Sequence, residues 1–274
     1  MDFSPVKSIY VQIDGISVDV FYNINLTNSS PPVLMVHGMF GGGWYFYDWA
    51  IFLAQKGFPV YVIRDLHEWE NLNKVDFYTY LRKSTSVDKS IYGNTGKKII
   101  IIGHSMGGLI VQKIAEIRQE LVAGIVLFAS APSKGISAMT WRVAKAMVKN
   151  WFSLLFNLPL KIDRESAFDL LLNWKGDEEK KEQIFQKLVP ESSRVLRQLA
   201  FSQIAVNEKK ISCKSLVVSC RFDRLLPLEV QQQIATKYDS YYLSFFTGHL
   251  LMLEFQQEEI ICGILRWINE FSEF

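Results

Sequence analysis

The sequence predicts an α/β fold in which a mostly parallel sheet carries helices on both faces. Two observations lead to this fold class: short continuous apolar runs recur along the chain, and helix-like segments separate them. Runs without polar interruptions are typical of strands that are covered on both faces. Strands that alternate with helices form parallel sheets with right-handed crossovers. The predicted strands are PPVLMVHG, FPVYVIRD, KKIIIIG, VAGIVLF and SLVVSC.

A β-hairpin is predicted ahead of these strands. In residues 10–22, YVQIDGISVDVFY, apolar and polar side chains alternate on both sides of Asp14-Gly15. An Asp-Gly pair supplies the positive φ angles of a type I′ turn, which joins two antiparallel strands. The sheet is therefore expected to begin with an N-terminal hairpin.

Residues 133–212 interrupt the alternation of strands and helices. This segment contains helix-like stretches such as AMTWRVAKAMVKNWFSLLF and DEEKKEQIFQKLV, and no run typical of a strand. We interpret it as a helical cap, or lid, inserted into a core formed by residues 1–132 and 213–274. Within that core, helices are predicted near residues 44–56, 77–90, 106–120, 229–237 and 250–271.

The composition excludes several classes of protein. With 49% hydrophobic and 21% charged residues, the chain can bury a large core and is not a disordered protein. A net charge of +2 and a pI of about 8.3 are too balanced to predict nucleic-acid binding. The N-terminus has no apolar segment typical of a secretory signal. The sequence also lacks an uninterrupted apolar run of about 18 residues, so no transmembrane helix is predicted.

The three cysteines are expected to be reduced thiols. Cys213 and Cys220 flank the strand SLVVSC, so about 23 Å separates them at about 3.3 Å per residue. That separation is far beyond the limit of about 7 Å between the Cα atoms of a disulfide. Together with Cys262 they make an odd number, which without a secretory signal predicts a cytoplasmic location.

A candidate nucleophile lies between a predicted strand and a predicted helix. Gly103-His104-Ser105-Met106-Gly107 has the Gly-x-Ser-x-Gly pattern of a nucleophile elbow, a turn that lifts the serine above the carboxyl edge of the sheet. The turn is too tight for side chains at Gly103 and Gly107. The alternative is a glycine-rich turn that only packs a helix closely against a strand, but the flanking strand and helix favour the elbow.

A serine nucleophile needs a base and an acid at the same edge of the sheet. Of the four histidines, His37, His67 and His104 lie in earlier loops or within the elbow, whereas His249 follows the last apolar strand, YYLSFF. We therefore predict His249 as the base, at the beginning of the final helix. Asp223 follows the first strand after the cap, which produces the order Ser, Asp, His expected for an elbow enzyme.

An oxyanion hole needs a second backbone donor besides the residue after the nucleophile. Met106 N–H follows Ser105, and Met39 N–H follows the strand VLMVHG. The glycines at 41–43 resemble part of a phosphate loop, but neither Gly-Lys-Ser/Thr nor a complete Gly-x-Gly-x-x-Gly is present. We interpret them as a flexible turn that brings the backbone close to the oxyanion.

The motifs HGMFGG, GHSMGG, FDRLLP and GH follow one another in this order. With them the chain resembles the α/β-hydrolase superfamily, in its lipase, esterase and lysophospholipase-like group, over nearly all of its length outside residues 133–212. The resemblance implies an α/β-hydrolase fold. It also implies that Ser105, Asp223 and His249 form a catalytic triad and that Met39 and Met106 donate to the oxyanion.

Two positions depart from the pattern of that superfamily. Cys220, three residues before the acid, stands where the superfamily commonly has glycine. The loop RDLHEWENL, residues 64–72, replaces an Arg-Gly-His-Gly-like loop.

The first cap helix has an apolar side and a basic side at helical spacing. We expect the apolar side to close the substrate pocket, and the basic side, with Arg142, Lys145 and Lys149, to be solvated. The alternative is a transient contact with an anionic membrane surface, which basic amphipathic helices with Trp and Phe make. The apolar residues are Met139, Trp141, Met147, Trp151, Phe152, Leu154, Leu155 and Phe156.

These observations favour a serine hydrolase that cleaves carboxylic esters with a hydrophobic acyl part. No metal or organic cofactor is expected, because the chemistry needs none and no Cys/His group has zinc-binding spacing. The partner is then a small hydrophobic ester. The same residues could instead support acyl transfer, thioester hydrolysis or cleavage of a C–C bond, and a ligand-binding, receptor-like relative of these hydrolases is a further alternative.

Overall fold

The centre of the fold is a sheet of eight strands, seen in a computed structural model that describes residues 5–26, 30–67 and 71–270. The strands lie in the order β1-β2-β4-β3-β5-β6-β9-β10. Six of them, β4 through β10 in that order, are parallel. Their bounds are β1 Val6–Ile13, β2 Ile16–Asn23, β3 Val33–Val36, β4 Val60–Ile63, β5 Ile99–His104, β6 Val122–Phe128, β9 Lys214–Cys220 and β10 Tyr241–Phe245.

The predicted N-terminal hairpin is confirmed. β1 and β2 pair antiparallel, from Val6 opposite Asn23 to Ile13 opposite Ile16. Asp14 and Gly15 both have positive φ angles, 49° and 78°, as a type I′ turn requires. β2 then joins the parallel strands by antiparallel pairing with β4.

Five helices of the core cover the two faces of the sheet. α2, α3 and α9 pack on the face that Leu34, Ile101 and their neighbours form. α1 and α10 pack on the opposite face, against alternate residues of the same strands, such as Met35 and Ile102. Burial on both faces explains why these strands are continuous apolar runs. The helices are α1 Tyr47–Gln55, α2 Phe77–Thr95, α3 Met106–Ile117, α9 Leu228–Lys237 and α10 Gln257–Glu270.

The last predicted helix, 250–271, begins later than expected. Residues Leu251–Leu253 form a short 3-10 turn, and Glu254 has an extended backbone before α10 begins at Gln257. The interruption has a physical cause, because the Glu254 side chain turns back to accept a hydrogen bond from Gly248 N–H at 2.7 Å. His249 therefore lies in a loop and does not begin a helix.

Residues 133–212 contain five α-helices, a 3-10 helix at Glu208–Lys210 and two very short strands in the described structure. β7 and β8 pair antiparallel over two residues each and were not predicted, because a two-residue strand leaves no periodic pattern. The elements are α4 Trp141–Lys149, α5 Trp151–Phe156, β7 Pro159–Leu160, α6 Arg164–Leu170, α7 Glu178–Gln186, β8 Glu191–Ser192 and α8 Ser193–Ala200.

One continuous helix was expected over the region that α4 and α5 occupy, and this helix is broken at Asn150. The backbone of Asn150 leaves the helical region, with φ −108° and ψ 20°, and its side-chain amide donates back to Ala146 O at 2.8 Å. An Asn side chain that satisfies a terminal carbonyl in this way ends a helix. α4 therefore ends at Lys149, and a separate helix, α5, begins at Trp151.

The structure contradicts the roles that were expected for the apolar and the basic side of the first cap helix. Of the apolar residues predicted to close the pocket, only Met147 lines it, and most of the others are exposed. The basic side chains are not simply solvated, because each forms an ion pair with a carboxylate of residues 163–169. These pairs are Arg142 with Asp169, Lys145 with Glu165, and Lys149 with Asp163 and Glu165.

Candidate active site

Ser105 occupies a strained turn between β5 and α3. Its φ angle is +53° and its ψ angle −120°, a conformation that residues with a side chain rarely adopt. A Cβ atom on Gly103 would lie 2.5 Å from Gly107 O, and one on Gly107 would lie 2.2 Å from Val36 O. Glycine is therefore required on both sides of Ser105, as expected from the motif.

Replacing Gly107 with alanine is expected to lower the free energy of unfolding by about 3 kcal/mol, because the new methyl group overlaps the backbone of β3. Urea denaturation measures the change. Gly93→Ala is the matched control: Gly93 lies in α2 with open space around its Cα, so alanine should raise stability by about 0.5–1 kcal/mol. Equal effects of the two substitutions would contradict the close approach at Gly107.

Asp223 and His249 are brought together by two loops that extend neighbouring strands. Phe222 N–H donates to Thr247 O at 3.0 Å, which continues the pairing of β9 with β10. His249 Nδ1–H donates to Asp223 Oδ2 at 2.8 Å. Because a carboxylate only accepts, the proton of the neutral ring is on Nδ1 and Nε2 is the basic nitrogen.

The second carboxylate oxygen of Asp223 is also occupied. Asp223 Oδ1 accepts hydrogen bonds from Leu225 N–H and Leu226 N–H, at 2.8 and 2.9 Å. Both side chains of the pair are buried, with 0% of Asp223 and 2% of His249 exposed. The carboxylate is therefore held in a single orientation by three donors.

His104 supports His249 from inside the elbow, a role that the sequence did not indicate. Its Nε2–H donates to His249 O at 2.9 Å, and its ring stacks on Phe128. Burial, together with the neighbouring His249 ring, holds the pKa of His104 well below its usual value. His104 is thus a neutral donor that fixes the backbone of His249.

Two further polar residues hold the loops of the pair, and both were missed by sequence reasoning. Asn173, from the inserted segment, donates its side-chain amide to Phe222 O at 2.6 Å. Glu254 accepts from Gly248 N–H, and burial, with the nearby charge of Asp223, raises its pKa to about 7. Asn173 is 49 residues from its partner, so no local motif could indicate its role.

The loop after β3 lies directly against Ser105. A Cβ atom on Gly38 would be 2.8 Å from Ser105 Cβ. The next residue, Met39, lines the same cavity as Ser105. Met106 is the first residue of α3, where a backbone N–H has no acceptor within the helix. Met106 thus directly follows Ser105, and Met39 lines the same cavity as Ser105.

The three glycines at 41–43 do not form the flexible turn that was expected. A Cβ atom on Gly41 would meet the Tyr45 ring at 2.1 Å, and one on Gly43 would meet Ile63 O at 2.7 Å. Gly43 N–H also donates to Arg64 O at 2.9 Å. Gly41 therefore packs against the Tyr45 ring, and Gly43 packs against the end of β4.

An apolar cavity opens at Ser105 and His249, between the core and residues 133–212. Its empty volume, including the part open to solvent, is about 910 Å³. Its two other polar side chains are already bonded, Asn150 to Ala146 O and Ser166 to Asp163. Most of the remaining wall is aliphatic: Ala131, Ala138, Val143, Ala146, Leu160, Ile162, Leu170, Leu171, Leu196, Leu199, Ala200, Leu225 and Leu226.

Another buried histidine, His67, joins the core to the inserted segment. His67 Nδ1 lies 2.6 Å from Asp65 Oδ1, and Nε2 lies 3.1 Å from Glu191 Oε2 in β8. Burial alone would lower the pKa of His67, but these two carboxylates raise it to about 9. By contrast, burial and the charge of His67 lower the pKa of the stacked His37 to about 4. His67 is therefore a buried cation and His37 is neutral.

Replacing Glu191 with glutamine is expected to lower the free energy of unfolding by about 3 kcal/mol near pH 6, because it leaves the buried His67 cation with one partner fewer. The pKa of His67 is about 9 in the folded protein, against an ordinary 6.5. Its stabilisation is therefore complete below pH 6.5 and is lost as the pH rises through about 9. Urea denaturation of both proteins should show a difference that shrinks toward about pH 9.5.

The exposed Glu165, which pairs with two lysines, is the control for this substitution. Glu165→Gln should change stability by about 0.5 kcal/mol or less, since exposed ion pairs contribute little. A loss for Glu191→Gln that is the same near pH 6 and pH 9.5 would show that the charge of His67 is not its cause.

The remaining predictions from the sequence concern thiols, metals and membrane spans. Cys213, Cys220 and Cys262 are free, and burial raises the pKa of the Cys220 thiol well above its usual value. In residues 5–26, 30–67 and 71–270, no group of three His, Cys, Asp or Glu side chains is arranged to hold a metal ion. Over the same residues, every helix is too short or too polar to cross a membrane. Within the loop 64–72, positions 68–70 lie outside the described residues.

Comparison with known proteins agrees with this architecture. Residues 33–261 match the sequence model described as the Alpha/beta hydrolase family. No curated protein sequence matches the chain. The match with this family confirms the fold class predicted from the sequence motifs.

Three solved structures illustrate the similarity. A thermophilic esterase from Thermogutta terrifontis has 19% identity and a TM-score of 0.69, over 97% of this chain and 99% of the esterase. A lipase-esterase related protein from Clostridium acetobutylicum has 18% identity and a TM-score of 0.68, over 96% and 99% of the two chains. A membrane phospholipase A, described as a bacterial virulence factor, has 15% identity and a TM-score of 0.71, over 99% and 88%. Identities this low establish a shared fold and nothing finer.

Proposed function

Since the chain belongs to the alpha/beta hydrolase family, we propose that it is a serine hydrolase that cleaves carboxylic esters with a hydrophobic acyl part. One observation carries this proposal: the strained Ser105 and His249, which is bonded to the buried Asp223, line the same aliphatic cavity. A binding protein would not need an oriented imidazole beside a strained serine.

In the proposed reaction, Ser105 Oγ attacks the carbonyl carbon of the ester while its proton moves to His249 Nε2. The backbone N–H groups of Met39 and Met106 stabilise the negative charge on the carbonyl oxygen. Collapse of the tetrahedral intermediate breaks the ester bond, and His249 returns the proton to the departing alcohol. Asp223 keeps the imidazole in the required tautomer and stabilises the imidazolium.

A water molecule then completes the cycle. It attacks the acyl-enzyme carbonyl and transfers a proton to His249 Nε2, and the carboxylic acid leaves as Ser105 Oγ regains that proton. The same two backbone donors stabilise this second oxyanion. Residues 133–212 act as a cap in this proposal, because they supply most of the cavity wall that would surround the acyl chain.

The test combines turnover with covalent labelling. p-Nitrophenyl esters of increasing acyl length should be hydrolysed, with an optimum set by the aliphatic cavity. An alkyl p-nitrophenyl phosphonate should inactivate the protein stoichiometrically and add its mass to the peptide that contains Ser105. Turnover of thioesters without turnover of oxygen esters would contradict the ester proposal, and labelling at another residue would contradict the mechanism.

A further inference from the structure

A cluster of large apolar side chains lies exposed on α4 and α5. We call it the α5 patch: Val148, Trp151, Phe152, Leu155 and Phe156, each between 54% and 72% exposed. Within α5, spacings of three and four residues place its four patch residues on one stripe, and Val148 lies near the end of α4. Phe152 contacts both Trp151 and Phe156, with ring centroids 5.7 and 4.7 Å apart. An exposed apolar surface of this kind marks an interaction site.

The α5 patch is not needed to anchor α5 to the protein. Leu154 is the buried residue of that helix, and Arg197 of α8 donates to Asn157 at its end. The patch residues lie on the outer side, next to residues that line the cavity. Met147 and Asn150 face the cavity, while their neighbours Val148 and Trp151 are exposed. One helix wall therefore separates the patch from the cavity.

The charges around the α5 patch indicate how it would bind. Residues 141–162 contain four basic residues and no acidic one. Three of the four, Arg142, Lys145 and Lys149, form ion pairs with carboxylates of residues 163–169. Long-range attraction to an anionic surface is therefore weak, and burial of the aromatic rings must supply most of the binding.

We propose that the α5 patch inserts into the surface of a lipid bilayer, from which a hydrophobic ester would enter the cavity. The inference of an ester source rests on the proposed function; insertion itself does not. Trp and Phe on a short amphipathic segment are typical of interfacial anchors. A second copy of the chain is a poorer occupant, because a stable protein interface takes about 20 residues from each side, and the patch has five.

Vesicle binding tests this proposal without reference to catalysis. The protein should co-sediment with phosphatidylcholine vesicles, and Trp151→Ser/Phe152→Ser/Phe156→Ser should weaken the partition coefficient at least tenfold. Ile9→Ser/Ile117→Ser, which removes exposed apolar residues from β1 and α3, is the matched control and should bind normally. Adding phosphatidylserine, or raising the salt concentration tenfold, should change binding less than threefold, because the basic residues are already paired.

Several results would overturn the proposal: vesicle binding that survives the triple substitution, no vesicle binding by the unaltered protein, or self-association in light scattering that the triple substitution removes. The last result would assign the α5 patch to a second copy. Hydrolysis of a soluble butyrate ester should be the same in all variants, since none of the substituted residues lines the cavity. Vesicle binding by a protein that hydrolyses no ester would contradict the proposed function but would still support insertion of the α5 patch.

Discussion

Ser105→Ala is expected to reduce kcat for p-nitrophenyl esters by about a millionfold. In a serine protease the loss of the nucleophile had this magnitude. Here the elbow places Ser105 on the wall of the cavity. The other hydroxyl described on that wall is that of Ser166, which is bonded to Asp163. Alanine keeps the Cβ atom of Ser105 and removes only the hydroxyl group. Its effect on stability should be small, so a loss of activity would report on chemistry.

The matched control is Ser86→Ala, a partly exposed serine of α2 far along the chain from the elbow. This variant should keep full activity, and both variants should show the same urea denaturation midpoint within error. Ester turnover above about 1% of the original in Ser105→Ala would show that the serine is not the nucleophile.

Asp223→Asn is expected to lower kcat by about ten-thousandfold while leaving the fold intact. An asparagine oxygen can still accept from Leu225 N–H and Leu226 N–H, so its amide NH₂ group would then face His249 Nδ1. That group donates, so the imidazole proton moves to Nε2 and the nitrogen nearest the substrate can no longer accept the serine proton.

Asp239→Asn is the control for this substitution. Asp239 lies in a turn with a φ angle of 49°, a conformation that asparagine adopts easily. This variant should therefore keep both stability and activity. A decline of less than about tenfold in Asp223→Asn would point to another carboxylate as the partner of His249, and Glu254 is a candidate because its charge interacts with that of His249.

The sheet and the serine turn could be predicted from the sequence because each leaves a local pattern. Strands buried on both faces are unbroken apolar runs, and the type I′ turn at Asp14-Gly15 and the elbow at Ser105 require particular residues at fixed spacing. The order of the strands also places the loops after β5, β9 and β10 at one edge. Candidate residues could therefore be chosen before the structure was known.

The features that could not be predicted are of two kinds. Some are contacts between distant segments, and others are side chains that bond to the backbone and so interrupt a helix. Asn150 ends α4 by bonding its own preceding turn, so the periodic apolar pattern continues where the helix does not. Glu254 similarly interrupts the last helix by bonding Gly248. His67 and Glu191 are 124 residues apart, and neither lies in a motif. Such pairs exist only once the chain has folded.

The hydrogen bond from Asn173 to Phe222 O has a consequence for protein engineering. It connects the inserted segment to the residue just before Asp223, and the His67–Glu191 ion pair connects the same segment to the loop after β4. Residues 133–212 are therefore not an independent module. An insertion transplanted from a relative would have to provide an amide and a carboxylate at these two places. Without them, the recipient would lose the contact that positions the loop of Asp223, and part of its stability as well.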